Sequence, residues 1–242
     1  MQKELIKSRF KKSLKTYNEN AVVQKIMAKN LVKFLGKNLY KNIVELGCGT
    51  GFLTEEIVKN KDYFNYYAID IVGDCGGYIS KISEDINFIC NDIERVKISE
   101  FCPDLVVSNA ALQWSDDLFG FVDGVMGQIS ENGVFGFTIF GEENFKELDK
   151  IIDKKMEYFS LNFIKNKLKK YGKLTLKEEK IKLKFNSPKE VLYHIKNTGV
   201  NGVSRVSWTK KDLENFEKKY NEICGENITL TYHPIYVILE KK

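Results

Sequence analysis

The sequence predicts an α/β fold on a single, mostly parallel sheet, and three observations predict it. Short apolar runs alternate with amphipathic stretches as far as Phe140, the pattern of strands joined by crossover helices. A glycine cluster, Gly47, Gly49 and Gly51, directly follows the first of those runs, where a strand would turn sharply into a helix. The 242 residues, 43% hydrophobic, suffice to close one substantial core.

The elements follow in order. Ala21–Leu35 carries Val22, Ile26, Leu31 and Leu35 near helical spacing and predicts a helix packed on the sheet ahead of the first strand. Strands are predicted over Asn42–Leu46, Tyr66–Asp70, Ile86–Ile89, Asp104–Ser108 and Val134–Phe140, with crossover helices over Leu53–Asn60, Gly76–Ser83 and Leu118–Ile129. After Phe140 the pattern changes. Phe145–Tyr171 is long, helical in tendency and punctuated by Lys165, Lys167, Lys169 and Lys170, which predicts a helical lid inserted over residues 145–175. Lys177–Phe185 and Thr229–Glu240 alternate apolar residues and suit a closing strand or pair of strands at the sheet edge. Pro234 lies within the last run and lacks an N–H, which favours a bulge or an edge position there. Residues 1–242 read as one domain, with 1–41 as an N-terminal helical segment.

Composition excludes several classes. No apolar run approaches the roughly 20 residues of a membrane span, and Met1-Gln2-Lys3-Glu4 opens no signal-type segment, so a soluble cytoplasmic protein is expected. Five cysteines, Cys48, Cys75, Cys90, Cys102 and Cys224, show no paired spacing, against both a disulfide framework and a zinc site. The net charge of +5 hides an asymmetry: Met1–Lys41 holds 11 Lys and Arg against 2 Asp and Glu, whereas Asn42–Phe140 holds 5 against 16. A basic rim of that kind attracts an acidic partner, although charge runs commonly do no more than solvate helix faces.

The chemistry concentrates at Glu45-Leu46-Gly47-Cys48-Gly49-Thr50-Gly51. Glycines at alternate positions let the backbone approach a ligand closely and lead into a helix whose first N–H groups are free. The spacing is not that of dinucleotide enzymes, because Phe52 stands where their third glycine belongs. Glu45, just ahead of the turn, would repel a pyrophosphate and suit a ligand cationic at sulfur and amine. Asp70, at the end of the second strand, is placed to accept ribose hydroxyls, with Ile71 beside it. Asp92 and Ile93, at the end of the third, are placed for a base amine and its ring. Together they predict binding of S-adenosyl-L-methionine, with Gly47, Cys48, Gly49 and Gly51 as the backbone cradle and no metal. A nicotinamide oxidoreductase fails on Phe52 and Glu45.

The fourth strand leads into Ser108-Asn109-Ala110-Ala111-Leu112-Gln113-Trp114, in the crevice where open α/β sheets bind ligands. Asn109 and Leu112 are expected at the cofactor, Gln113 at the methionine end or the acceptor, and Trp114 either as a wall or as a core anchor. No Asn/Asp-Pro-Pro-aromatic pattern of amine methyltransferases occurs here.

On these residues the chain resembles the malonyl-[acyl-carrier protein] O-methyltransferases of biotin synthesis. The likeness starts at Phe10 and Tyr17 through Ala21 to Gln24, runs through the glycine turn and Asp92-Ile93-Glu94, and is sharpest at Ser108–Trp114. It resumes at Phe145–Leu148, His194–Gly199, Ser207-Trp208-Thr209 and Leu230–His233. Asp74-Cys75-Gly76-Gly77 and the stretch between Lys150 and Lys184 depart from it. The resemblance implies a Rossmann-like class I methyltransferase fold, with a seven-stranded mostly parallel sheet, an antiparallel edge strand and an inserted helical lid. It implies methyl transfer from S-adenosyl-L-methionine to the free carboxylate of a malonyl thioester on acyl-carrier protein, with Tyr17 and Gln24 closing over the methionine end. A cationic or hydroxyl clamp on that carboxylate is expected from Arg205, Tyr232 and His233. Carrier proteins are acidic, so the lid lysines and Lys7, Arg9, Lys11, Lys12 and Lys15 offer a complementary rim. A monomer is expected. The nearest alternative is a methyltransferase of a small carboxylic acid such as trans-aconitate. A nucleic-acid-binding module is disfavoured by the lack of aromatic and basic repeats.

Overall fold

The computed structural model describes residues 2–151, 158–198 and 209–242. Two helices precede the sheet, α1 (Gln2–Asn20) and α2 (Val22–Phe34). The buried face of α2 is Val23, Gln24, Met27, Ala28, Leu31 and Val32, a stripe at three- and four-residue spacing that lies against the sheet. There follow β1 (Leu39–Leu46), α3 (Phe52–Asn60), β2 (Asp62–Asp70), α4 (Gly76–Ile82), β3 (Ile86–Cys90), β4 (Leu105–Asn109), α5 (Leu118–Gln128) and β5 (Val134–Phe140). All five strands pair in parallel. Their central members are largely apolar because helices cover both faces: every residue of β5 is buried. Side chains alternate between the faces, so Ile43 joins α2 and α3 in one core while Val44 and Leu46 join α5 in the other. Each such side chain, fully buried, stabilises the fold by about 1.5–3 kcal/mol.

The rest of the chain is α6 (Leu161–Leu168), β6 (Gly172–Glu178), β7 (Ile181–Lys184), α7 (Pro188–Asn197), α8 (Lys210–Cys224), β8 (Thr229–Tyr232) and β9 (Pro234–Lys241). The seven-stranded sheet has the order β3-β2-β1-β4-β5-β9-β6, and β7 and β8 form a separate antiparallel pair. The antiparallel strand is β9, which pairs with both β5 and β6 and so lies one place in from the edge expected for it. Its apolar content explains this, since Ile235, Val237 and Leu239 are fully buried, whereas the true edge, β6, exposes Lys173 and Lys177. Pro234 opens β9 opposite Phe140, at a strand start where no N–H is needed.

The expected lid behaves differently from its reading. α6, capped by Ser160 accepting from the Phe163 N–H at 3.2 Å, buries Ile164 and Leu168 in the core shared with α5. An i, i+4 apolar pair makes it a crossover helix on the sheet, with Lys165 and Lys167 turned outward. Residues 152–157 of that stretch lie outside the described residues. The helix that packs on α1 is instead α7, which starts at the N-cap Ser187 followed by Pro188 and also packs on α8. Among the described residues, no helix is long and apolar enough to cross a membrane.

Candidate functional site

The order β3-β2-β1-β4 sets the carboxyl ends of four parallel strands in a row, with the reversal of strand order between β1 and β4. A cavity lies along that row under α1. Its floor starts with the glycine turn after β1. The Gly47 and Cys48 N–H groups both donate to the Ile69 carbonyl of β2, at 2.8 and 3.1 Å, which ties the turn to the neighbouring strand. Gly47 has φ +75°, and a Cβ there would lie 2.5 Å from the Ala111 Cβ. Gly49 has φ +54°, and a Cβ there would lie 3.2 Å from the Phe10 ring. Glycine is therefore required by the backbone conformation and by the loop and helix that close on the turn.

Of the carboxylates that line the cavity, Glu45, Asp70 and Asp92 each lie at or just beyond the end of one strand. Glu45, 1% exposed, accepts hydrogen bonds at Oε2 from the Thr54 and Tyr66 hydroxyls, both at 2.6 Å. Burial pushes its carboxyl up to about 7, against the pull of those two donors. Asp70 accepts from the Gly49 N–H at 2.9 Å and from the Val72 N–H at 2.8 Å, one on each oxygen. Burial raises its carboxyl too, opposed by those backbone bonds. Asp92 differs: it accepts from the Glu94 N–H at 3.1 Å and pairs with Lys3 of α1 at 2.8 Å. Burial would raise Asp92, but Lys3, the Glu94 N–H and Arg95 together hold it below the ordinary range.

The cover is aromatic. Tyr17 on α1 lies edge-on to Phe10, with ring centroids 5.2 Å apart, and stacks on Phe52 at 5.8 Å. All three line the cavity, and burial raises the Tyr17 hydroxyl well above its ordinary value. Behind them, Asn109 at the end of β4 donates to the Gln24 carbonyl of α2 at 2.9 Å and accepts from the Thr138 hydroxyl of β5 at 2.7 Å. The same Thr138 oxygen accepts the Ala110 N–H at 2.9 Å. This bracket holds Ala110 at φ +50°, an unusual conformation for a residue with a Cβ, and it aims the following turn at the cavity. Gln24 is 2% exposed and lines the cavity, yet its Oε1 has no hydrogen-bond partner among the described residues.

Most of the residues expected at the cofactor line this one cavity: Tyr17, Gln24, Glu45, Gly47, Cys48, Gly49, Asp70, Ile71, Asp92, Ile93 and Asn109. Gln113 and Trp114 line it as well. Two do not. Leu112 is fully buried among the apolar residues on the α5 face, and Gly51 opens α3 against Ile79 and Ile82 of α4.

Two residues of the expected carboxylate clamp also lie away from the cavity. Tyr232 is fully buried, and its hydroxyl is engaged with His194 Nε2 at 2.8 Å. His233 is 2% exposed; its Nδ1 accepts the Glu143 N–H at 3.2 Å and its Nε2 faces Glu178 at 2.8 Å. Neither side chain lines the cavity, and both spend their polar atoms on architecture. Arg205 lies outside the described residues. Sequence reasoning missed Lys3, Glu94 as a lining residue, and Thr198 at the end of α7. Thr198 lay inside a stretch of family likeness, but Lys3 carried no signal at all.

Comparison with known proteins agrees with this geometry. A family model described as a methyltransferase domain matches residues 44–137, which run from β1 into β5. The malonyl-[acyl-carrier protein] O-methyltransferase of Calditerrivibrio nitroreducens is 35% identical over 243 residues, covering 97% of this chain and 96% of the relative. The protein of the same name from Chlorobium luteolum is 33% identical over 252 residues, covering 99% and 96%. Among solved structures, the N-methyltransferase NodS from Bradyrhizobium japonicum, in complex with S-adenosyl-L-homocysteine, shares the fold with a TM-score of 0.51 at 13% identity, covering 90% of this chain and 85% of that one. From a likeness that runs nearly end to end in both relatives, the chain belongs to the malonyl-[acyl-carrier protein] O-methyltransferase family.

Proposed function

We propose that this protein is a cytoplasmic, monomeric enzyme that transfers the methyl group of S-adenosyl-L-methionine to the free carboxylate of malonyl-[acyl-carrier protein]. The product is the malonyl methyl ester that primes synthesis of the pimelate part of biotin, and residues 1–242 act as one domain. The observation that carries the reading is the row of Glu45, Asp70 and Asp92 along one cavity roofed by α1, in a chain of this family. The residues suit the donor: acids for its amine and ribose hydroxyls, glycine backbone for close approach, and a buried Gln24 amide oxygen awaiting a donor.

Bound there, S-adenosyl-L-methionine supplies a methyl group activated on a positive sulfur. A malonyl carboxylate is ionised at neutral pH, so no general base is required. The chain's work is positioning, which alone can supply about 7–11 kcal/mol. In this reading Tyr17, Phe10 and Phe52 exclude water, and Glu45 and Gln24 orient the methionine end. Gly47, Cys48 and Gly49 form the cradle, Asp70 and Ile71 hold the ribose, Asp92 and Ile93 hold the base, and Asn109 sets the wall next to the acceptor. Arg205, a few residues beyond the cavity-lining Thr198, supplies the cation for the malonyl carboxylate.

The test is direct. The purified protein, with labelled donor, is offered malonyl-, succinyl- and acetyl-carrier protein and free trans-aconitate in parallel. The malonyl thioester alone should gain the mass of a methyl group. Efficient methylation of the free acid with none of the carrier-bound one would overturn the reading.

A further inference from the structure

Lys3, Asp92 and Glu94 converge where the cavity reaches β3, the outermost strand of its row. Lys3 Nζ lies 2.8 Å from Asp92 Oδ2 and also contacts Glu94 Oε2, bridging from α1 to a turn 89 positions later. All three side chains are partly buried, and Ile93 lines the cavity between the two acids. Glu94 is further fixed by the Ser115 hydroxyl at 2.5 Å.

The inventory of donors and acceptors matters here. An ammonium has three N–H donors, and two of those on Lys3 are directed at carboxylates, so one is left. A carboxylate offers about four lone-pair sites. Asp92 uses one for the Glu94 N–H and one for Lys3, while Arg95 Nε stays at ion-pair distance, 3.7 Å, so it retains capacity. This end of the cavity thus presents a fixed acceptor beside a fixed donor, with an apolar side chain next to them. Adenine carries the complementary pair on one edge, an amine donor at N6 beside a ring acceptor at N1. Hypoxanthine carries the reverse.

We infer that Lys3 is a base-reading residue: its ammonium donates to N1 of the adenine while Asp92 accepts from N6. The inference rests on the donor reading given above. It ties recognition of the base to the position of α1, because the reader is carried by the helix that roofs the cavity. Glu94 acts as a positioning residue by fixing the ammonium.

The experiment uses the full chain and calorimetric affinities for two ligands, S-adenosyl-L-homocysteine and its 1-deazaadenine analogue, which lacks the N1 acceptor. The wild type should bind the analogue roughly 10- to 100-fold more weakly, the range for a charged hydrogen bond. Lys3→Met should bind both ligands equally, whatever its overall affinity, and Lys3→Arg should regain part of the discrimination. The inference is overturned, with the donor reading intact, if Lys3→Met discriminates as strongly as the wild type or if the wild type binds both ligands alike. If the wild type binds neither, the donor reading fails and this inference goes with it.

Discussion

Tyr66 on β2 donates a 2.6 Å hydrogen bond to Glu45 on the adjacent β1, from a diagonal position on the same face of the sheet. The tyrosine is fully buried and the acid nearly so. The pair places a carboxylate at the cavity floor in a setting that disfavours its charge, so a cationic ligand would find an acid whose ionisation it can itself stabilise.

The first prediction concerns stability and pH. Folded Glu45 titrates near 7, against an ordinary 4.5. The folded state holds the extra proton between those values, so the stability it carries is complete below about 4.5 and is lost as pH rises through about 7. The loss amounts to about 3 kcal/mol. Asp70 adds a contribution of the same sign. Glu45→Gln should remove Glu45's share, read as a flatter urea midpoint between pH 5 and 8 than the wild type shows. An unchanged slope would contradict the burial account.

The second concerns the glycine turn. Gly47→Ala imposes a left-handed conformation on a residue with a Cβ and sets that carbon 2.5 Å from the Ala111 Cβ. The two costs sum to about 2–5 kcal/mol. Adding Ala111→Gly should recover the steric part and leave the conformational one. Thermal unfolding of the single and double variants checks this, and a single variant as stable as the wild type would refute it.

The strands and the row of acids along the cavity were legible in the sequence because both depend on local pattern. β5 was read to its residue limits, since a doubly covered parallel strand is a bare apolar run. Glu45, Asp70 and Asp92 were legible from their places at strand ends. What stayed hidden depends on contacts between distant segments. Nothing near Lys3 announces a partner 89 positions away. Tyr232 and His233 carry attractive chemistry in a stretch of family likeness, and only the fold shows their polar atoms consumed by His194, Glu143 and Glu178. The lysines of α6 suggested a solvated lid, while Ile164 and Leu168 decided its place.

The third prediction concerns the carrier protein. Lys11 on α1 is paired with Asp74 at 2.7 Å, whereas Lys12 and Lys15 are exposed and make no ion pair among the described residues. Lys170 beside α6 is paired with Asp123 of α5. Lys7 of α1 lines the cavity whereas Lys165 and Lys167 of α6 do not, so docking of an acidic carrier should use α1. Lys12→Glu with Lys15→Glu should raise KM for malonyl-carrier protein several-fold at low salt and little at high salt. Lys165→Glu with Lys167→Glu should do far less. Steady-state kinetics at two ionic strengths decides it, and the reverse ranking would move the docking surface to α6.

The most direct test of the row of acids is a calorimetric titration with S-adenosyl-L-methionine across pH 6 to 8. Glu45 must lose its proton to meet a positive ligand, so affinity should rise with pH through about 7. Proton release should be visible as a dependence of the heat on the buffer's ionisation enthalpy, and both effects should vanish in Glu45→Gln. No uptake of this ligand, together with tight binding of a nicotinamide dinucleotide, would contradict the account outright.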